Sequence, residues 1–274
     1  MSISRNILFI GIIVLVLLFS NLVMLLKLDR PVRILNLVLY SMDDDGPFDR
    51  MQKITERYYS TFSNVTTYYY CFSPDLDVPH KLDGNILYIQ GDETFVPGIL
   101  EKTVNAFEYF ENQIHENDYV VRSNISTIIR FDLLSEDLKK NAVDYGCALC
   151  WGTEYLKDRS QCPPNEFIFS SGTSIIFSKE VVLNIIINKD KLDKELMDDV
   201  SIGKFIMEEM PEIEMKPVMK HVPYNGFHYM EDMGEDEEKI RSLIENKKIM
   251  FFRNNTDDRE VDVKQMEIIV NILS

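Results

Sequence analysis

No run of basic residues occurs anywhere in the chain, and that absence removes a large class of partners. Lys and Arg number 29 against 45 Asp and Glu, a formal net charge of −16. A protein that holds DNA or RNA presents a basic face to the phosphates, so nucleic acid is not an expected partner. The acidic excess gathers in Glu231–Glu238 and Asp257–Asp262, which read as solvated surface loops. Cysteine is scarce, with Cys71, Cys147, Cys150 and Cys162 making up the four. Cys147 and Cys150 form a CxxC, but neither a second CxxC nor a histidine pair at zinc spacing accompanies it, so a structural zinc is not expected. An even count suits an oxidising compartment, and four cysteines allow three pairings. Disulfides and free thiols both remain open. Internal repeats are missing, as is the composition of a long disordered region.

Long apolar runs are also rare, with one exception. Ile7–Leu26 (ILFIGIIVLVLLFSNLVMLL) carries no charge and has the length a helix needs to cross a bilayer. A cleaved signal peptide would have a shorter apolar core and a small-residue cleavage site, so an uncleaved transmembrane anchor is expected. This divides the chain into a tail at 1–6, an anchor at 7–26, a juxtamembrane linker at 27–31 and a globular domain at 32–274. Lys27, Arg30 and Arg33 after the span favour a cytosolic domain by the positive-inside rule. The sequons at Asn64, Asn124 and Asn254 favour a lumenal one. The expectation adopted is a single-pass type II protein with a lumenal domain.

Beyond the linker, strands and helices alternate. Val32–Tyr40 (VRILNLVLY) is a continuous β-branched and Leu-rich run, the pattern of a strand buried on both faces. Further strands are predicted at Thr66–Phe72, Asn85–Ile89, Tyr119–Arg122, around Cys147–Trp151 and Phe167–Phe177, and at Glu214–Val222 and Lys248–Arg253. Helices are predicted at Phe48–Phe62, Val96–Ile114, Leu133–Ala142, Lys179–Ile187, Asp199–Glu209 and Val263–Leu273. The alternation argues for an α/β fold with a mostly parallel sheet covered on both faces. Ligands of such sheets bind beyond the carboxyl ends of the strands. Attention therefore falls on Tyr40–Asp45, Gly91–Asp92, Arg122–Ser126, Ser170–Gly172 and His221–His228.

Several of these strand ends carry a resemblance. The stretch NILYIQGDETFVPGILEKT, followed by YFENQIHENDYVVRSNIST, is similar to the order found in glycosyltransferases of the fringe and β-1,3-galactosyltransferase type. There a strand ends in QGD, a helix contains Lys-Thr, and a Tyr-Val strand leads to an acidic DxD. CPPNEFIFSSGTSIIFSKEVV resembles their Tyr-Pro-x-Tyr-x-x-Gly block, and MDDVSIGKFI their Glu-Asp-Val-x-(apolar)-Gly. Similar sequences occur among glycosyltransferase-like proteins of large DNA viruses. The likeness runs from Val32 to His228.

The resemblance implies a nucleotide-sugar-binding fold of the GT-A type behind the transmembrane helix. It also implies inverting transfer of a sugar, from a UDP-sugar by expectation, to a hydroxyl of a glycan or glycoprotein. Asp199 matches the family's catalytic acid and becomes the expected general base, although an acid there would equally cap the following helix. Tyr40, Ser41, Lys102, Arg122, Asn124, Ser126 and Gly172 are the expected donor-binding residues. Asn124 and Ser126 fall on the two acids of DxD, and His228, in PYNGFHY, falls where some members place a histidine metal ligand. A divalent cation, Mn²⁺ or Mg²⁺, is thus an implied cofactor, yet an amide and a hydroxyl are weaker ligands than two carboxylates. Loose metal binding, metal-independent transfer aided by Arg122, and loss of catalysis all stay open. In the last case the domain would serve as a glycan-binding or scaffold protein. Asp43-Asp44-Asp45-Gly46 contains another DxD spacing and reads as a polar turn.

Overall fold

The computed structural model describes residues 30–152, 167–217, 226–246 and 248–274. Val32–Ser274 forms one compact unit. Its strands are β1 (Ile34–Leu39), β2 (Val65–Ser73), β3 (His80–Asp83), β4 (Ile86–Gln90), β5 (Tyr119–Asn124), β6 (Thr127–Ile129), β7 (Tyr145–Cys147), β8 (Cys150–Gly152), β9 (Ile168–Ser170), β10 (Ser174–Ser178), β11 (Met215–Pro217), β12 (Phe227–Tyr229) and β13 (Phe251–Arg253). Its α-helices are α1 (Pro47–Tyr59), α2 (Gly98–Tyr109), α3 (Glu111–Glu116), α4 (Phe131–Lys140), α5 (Lys179–Ile187), α6 (Asp198–Glu209), α7 (Glu237–Asn246) and α8 (Arg259–Leu273).

Eight strands make one sheet in the order β11-β7-β10-β5-β1-β2-β4-β3. Four of the seven pairings are parallel, including both partners of β1. The three antiparallel ones involve β10 and the edge strand β3. The apolar run of β1 places it at the centre of the sheet, and period-2 alternation sends its side chains into two cores. Ile34 and Val38 face the core completed by α1, α4, α7 and α8. Leu35 and Leu37 face the core completed by α2, α3, α5 and α6. Smaller sheets, β12-β13-β6 and β8-β9, sit beside the main one.

Strand order reverses at β1. From there the chain runs outward to β2 and β4, then returns to β5 on the other side. In open α/β sheets such a switch point leaves a crevice beyond the carboxyl ends of the two strands. Here the crevice opens between Tyr40 after β1 and Asn124 at the end of β5.

One part of the expected fold class is corrected. Among the described residues no helix is long and apolar enough to cross a membrane. The longest, α8, has 15 residues and would extend about 22 Å at 1.5 Å per residue, short of a hydrocarbon core about 30 Å thick. Ile7–Leu26, the segment expected to span, lies outside the described residues. The described fold is a mixed α/β domain in which no helix is long and apolar enough to cross a membrane.

Other differences are local. The predicted strand Phe167–Phe177 is two strands, because Ser171-Gly172-Thr173 turns the chain between β9 and β10, with Ser174 N–H donating to the Ser171 carbonyl at 3.2 Å. The predicted helix Val96–Ile114 breaks at Phe110 into α2 and α3. The acidic segment read as a loop at Glu231–Glu238 leads into α7, whose Ile240, Leu243 and Ile244 lie at helical spacing and are buried. Cys71, Cys147 and Cys150 are free thiols, and Cys162 lies outside the described residues.

The polar turn Asp43–Gly46 acts as a helix cap. Asp43 accepts from the backbone N–H of Phe48 at 2.8 Å and of Asp49 at 3.0 Å, satisfying free donors at the start of α1. Asp45 pairs with Lys53 at 3.1 Å. The carboxyl end of β1 is then tied to α2 by Lys102. Its ammonium donates to the Tyr40 carbonyl at 2.9 Å and to both oxygens of Glu93 at 2.7 Å. Lys102 is 1% exposed and Glu93 38%. Burial lowers the Lys102 pKa, with Glu93 pulling the other way.

Removing the charge of Glu93 leaves that buried ammonium without a counter-ion. Breaking a fully buried pair costs about 3–5 kcal/mol. The exposure of Glu93 reduces the expected loss for Glu93→Gln to about 2 kcal/mol. Urea unfolding should show a lower midpoint at an unchanged slope. A midpoint equal to that of the parent would mean that the pair does not hold the end of β1.

Candidate functional site

A cavity of about 340 Å³ opens at the switch point. Its walls come from Tyr40 and Ser41 after β1, Asn124 at the end of β5 with Ile125 and Ser126 after it, the Ser171–Thr173 turn, Met197–Asp199 at the start of α6, and Arg253 and Arg259. Six of the expected site residues, Tyr40, Ser41, Arg122, Asn124, Ser126 and Gly172, line it together with Asp199. Lys102 is not among the lining residues; it is held beneath Tyr40 by the contacts described above. His228 lies in β12, opposite Phe252 of β13, and does not line the cavity. His221 lies outside the described residues.

The floor is organised by Arg122, which is 1% exposed. Its position in the middle of β5, flanked by β1 and β10, drives a long cationic side chain into the protein, where it needs partners. One guanidinium nitrogen lies 2.6 Å from a carboxylate oxygen of Asp198, which is 7% exposed. The other donates to the Asn124 side-chain oxygen at 2.9 Å and to the Gly172 carbonyl. Burial alone would lower the Arg122 pKa, but Asp198, Tyr70 and Asp199 outweigh it and raise it.

Asp199 stands one residue further into α6. Its Oδ2 accepts from the Gly172 N–H at 2.8 Å and its Oδ1 from the Val200 N–H at 2.9 Å. A β-carbon at position 172 would lie 3.0 Å from Arg122 Nη1 and 3.3 Å from Asp199 Oδ2. Glycine there lets the turn's backbone press against both charged groups. Burial first, and the neighbouring Asp198 carboxylate second, push the Asp199 pKa up to about 6. That places a carboxylate within about a unit of neutral pH, the poise suited to proton transfer.

The cavity lining also holds two arginines that strand-end reasoning missed. Arg253 closes β13 and donates to Ser126 Oγ, to Thr127 Oγ1 at 3.5 Å and to Asn255 Oδ1 at 3.3 Å. Arg259, in the first turn of α8, donates to the same Asn255 oxygen at 3.2 Å and to buried Asp262 at 2.6 Å, and lies over the Phe48 ring at 5.8 Å. Burial and the proximity of Arg259 lower the Arg253 pKa to about 10. The signal for Arg253 was in the sequence, since it ends a predicted apolar strand. That strand pairs in a separate small sheet, however, and the family resemblance stops at His228.

A divalent cation does not fit the residues at the DxD positions. Asn124 offers a neutral oxygen that already accepts from Arg122, and the Ser126 hydroxyl accepts from Arg253. A metal ion bound there would displace guanidinium groups from neutral oxygens, where Mg²⁺ and Mn²⁺ favour carboxylates. Among the described residues no cluster of three or more His, Cys, Asp or Glu side chains could hold a metal ion.

None of the sequon asparagines is exposed. Asn254 is fully buried, Asn64 donates to the Val32 carbonyl at 2.7 Å, and Asn124 lines the cavity.

Compared with known proteins, the chain matches no family model and no curated protein. Among solved structures it is similar to a glycosyltransferase involved in the glycosylation of the major capsid of PBCV-1. The TM-score is 0.47 at 11% sequence identity, covering 86% of this chain and 99% of that one.

The raised pKa of Asp199 has a consequence for stability that is independent of any activity. Its ordinary value is 3.8 and its folded value about 6, so the folded state holds the proton more tightly than the unfolded chain. Ionised Asp199 therefore opposes folding fully above about pH 6, and this opposition fades as pH falls towards 4. Asp199→Asn removes it. The difference in thermal midpoint between variant and parent should move in the variant's favour as pH rises from 4 to 7. A difference that stays flat across that range would show that Asp199 is not held in a perturbed state.

Proposed function

We propose that the domain is a glycosyltransferase that moves a sugar from a nucleotide-sugar donor to a hydroxyl of a glycan or glycoprotein acceptor, with inversion. The observation that carries this reading is Asp199. It is a carboxylate with a pKa of about 6, fixed by two backbone N–H groups, in the wall of a cavity that also holds arginines. A base and cationic groups facing one cavity suit a displacement in which a proton is taken at one side and negative charge develops at the other. The mostly parallel mixed sheet is consistent with the GT-A type that the sequence resembles. The cavity's place at the switch point favours a nucleotide-containing ligand.

In the proposed reaction, Asp199 accepts the proton of the acceptor hydroxyl as its oxygen forms a bond to the anomeric carbon. The bond from that carbon to the diphosphate oxygen breaks, and the leaving nucleoside diphosphate takes the electron pair. Tyr40 and Ser41, at the end of β1, lie where the nucleoside portion would lodge. Gly172 and Arg122 hold the base in position rather than taking part in the chemistry. Donor identity is expected to be a UDP-sugar.

One observation favours a second reading. The family's metal-binding carboxylates are replaced by Asn124 and Ser126, whose oxygens are committed to arginines. Such a domain, with catalysis lost, would bind glycans without turning over a donor.

Nucleotide release from a panel of UDP- and GDP-sugars, with and without an acceptor glycan mixture, separates the two. A transferase releases nucleotide from one donor, and Asp199→Asn lowers that rate by roughly 10²- to 10⁴-fold while the protein stays folded. Because the base must be ionised, kcat/KM should fall as pH drops through about 6, the value to which burial raises Asp199. An Asp199→Asn protein as active as its parent would remove the proposed base. Acceptor binding with no release from any donor would leave the binding reading.

A further inference from the structure

We infer that Arg253 and Arg259 form an anion subsite for a diphosphate group, and that this subsite takes the place of a divalent cation. The identity of the ligand rests on the donor reading above; the arginine pair itself rests on the geometry. Both guanidinium groups donate to the single oxygen of Asn255, at 3.3 and 3.2 Å. Two like charges are thereby held a few ångströms apart on one wall of the cavity, in a chain whose net charge is −16. Their mutual repulsion has a cost, and an anion between them would relieve it.

Arg259 is partly exposed and pairs at 2.6 Å with Asp262, which is fully buried. Arg253 has no carboxylate within ion-pair distance among the described residues; its partners are the neutral oxygens of Ser126, Thr127 and Asn255. A half-buried guanidinium satisfied only by neutral acceptors keeps most of its charge available to a ligand. Its planar fork matches two phosphate oxygens at once. Asn255 and Asp262 hold the pair in place, and the Asp258 cap of the α8 N-terminus, which accepts from the Glu260 N–H at 2.9 Å, fixes the turn that carries them.

The subsite also accounts for the residues at 124 and 126. With the positive charge supplied by side chains, carboxylates there are not needed to hold a metal. The hydroxyl of Ser126 serves instead to aim Arg253, and the amide oxygen of Asn124 to aim Arg122.

The test is binding of inorganic pyrophosphate and of UDP to the purified full chain by calorimetry, in Mn²⁺ and in chelator, for the parent, Arg253→Met and Arg253→Lys. The parent should bind both probes in chelator, more weakly as salt rises. Arg253→Met should weaken binding by roughly 10- to 100-fold, and Arg253→Lys, which keeps the charge but loses the fork, by an intermediate amount. Circular dichroism identifies a variant that has failed to fold; the lysine variant then decides. Binding that requires Mn²⁺, binding in chelator that ignores the Arg253 substitutions, or no pyrophosphate binding at all would each overturn the subsite. Donor turnover measured on the same samples separates this outcome from the transferase reading. Turnover that needs Mn²⁺ and not Arg253 keeps the transferase and removes the subsite. Arg253-dependent pyrophosphate binding without turnover of any donor does the reverse.

Discussion

A single buried cation, Arg122, sets the terms for the whole site. It sits in a central strand with only 1% of its surface exposed, and an unpaired charge there would be prohibitively costly. Its partners come from three separate pieces of chain: Asp198 opening α6, the carbonyl of Gly172 in the β9–β10 turn, and Asn124 at the end of its own strand. Satisfying Arg122 thus brings α6 against the turn. Once that is done, Asp199 has little freedom. It follows Asp198 directly, and the N–H of Gly172, whose carbonyl Arg122 holds, fixes its carboxylate. The Asp199 carboxylate is thus positioned by the needs of the neighbouring arginine, while burial and the adjacent Asp198 carboxylate raise its pKa.

This dependence explains why parts of the site could be read from sequence and others not. β1 announced itself through an uninterrupted apolar run, and once it lies at the sheet centre, Tyr40 and Ser41 must lie at the crevice. Asp199 was found through its motif and its place at a helix start. Lys102 illustrates a limit. Helical spacing shows that a lysine lies on α2, but the Glu93 that draws it inward comes from the loop before the helix, and no periodicity encodes that meeting. The lysine expected to reach a ligand instead anchors the end of β1. Ser171-Gly172-Thr173, read inside one long strand, was a turn signal in plain sight. A continuous apolar pattern on either side masked it.

Arg253 and Arg259 were missed for a different reason. They lie beyond the stretch that resembles the transferase family, and β13 belongs to a three-stranded sheet whose position relative to the main sheet cannot be inferred from element order. β6 provides the link. Two residues after β5 it turns to pair antiparallel with β13, which delivers the Arg253 guanidinium to Ser126. A local feature, the short connection Ile125-Ser126, thereby recruits the last quarter of the chain to the cavity.

Net charge and local potential part company here. A chain of −16 would be expected to repel a diphosphate at long range, and screening limits that repulsion to about 8–10 Å at physiological salt. Within that distance the ligand would meet Arg253 and Arg259 on one wall, while the carboxylate of Asp198 is already neutralised by Arg122. Asp199 is the one remaining carboxylate that lines the cavity among the described residues, and burial weakens its hold on a negative charge. An anion drawn to the arginines would raise the Asp199 pKa further by like-charge repulsion. A bound diphosphate would therefore make the base a stronger proton acceptor, and its departure would make it a weaker one. Proton uptake and leaving-group charge would then be coupled within the one cavity that Asp199, Arg253 and Arg259 line.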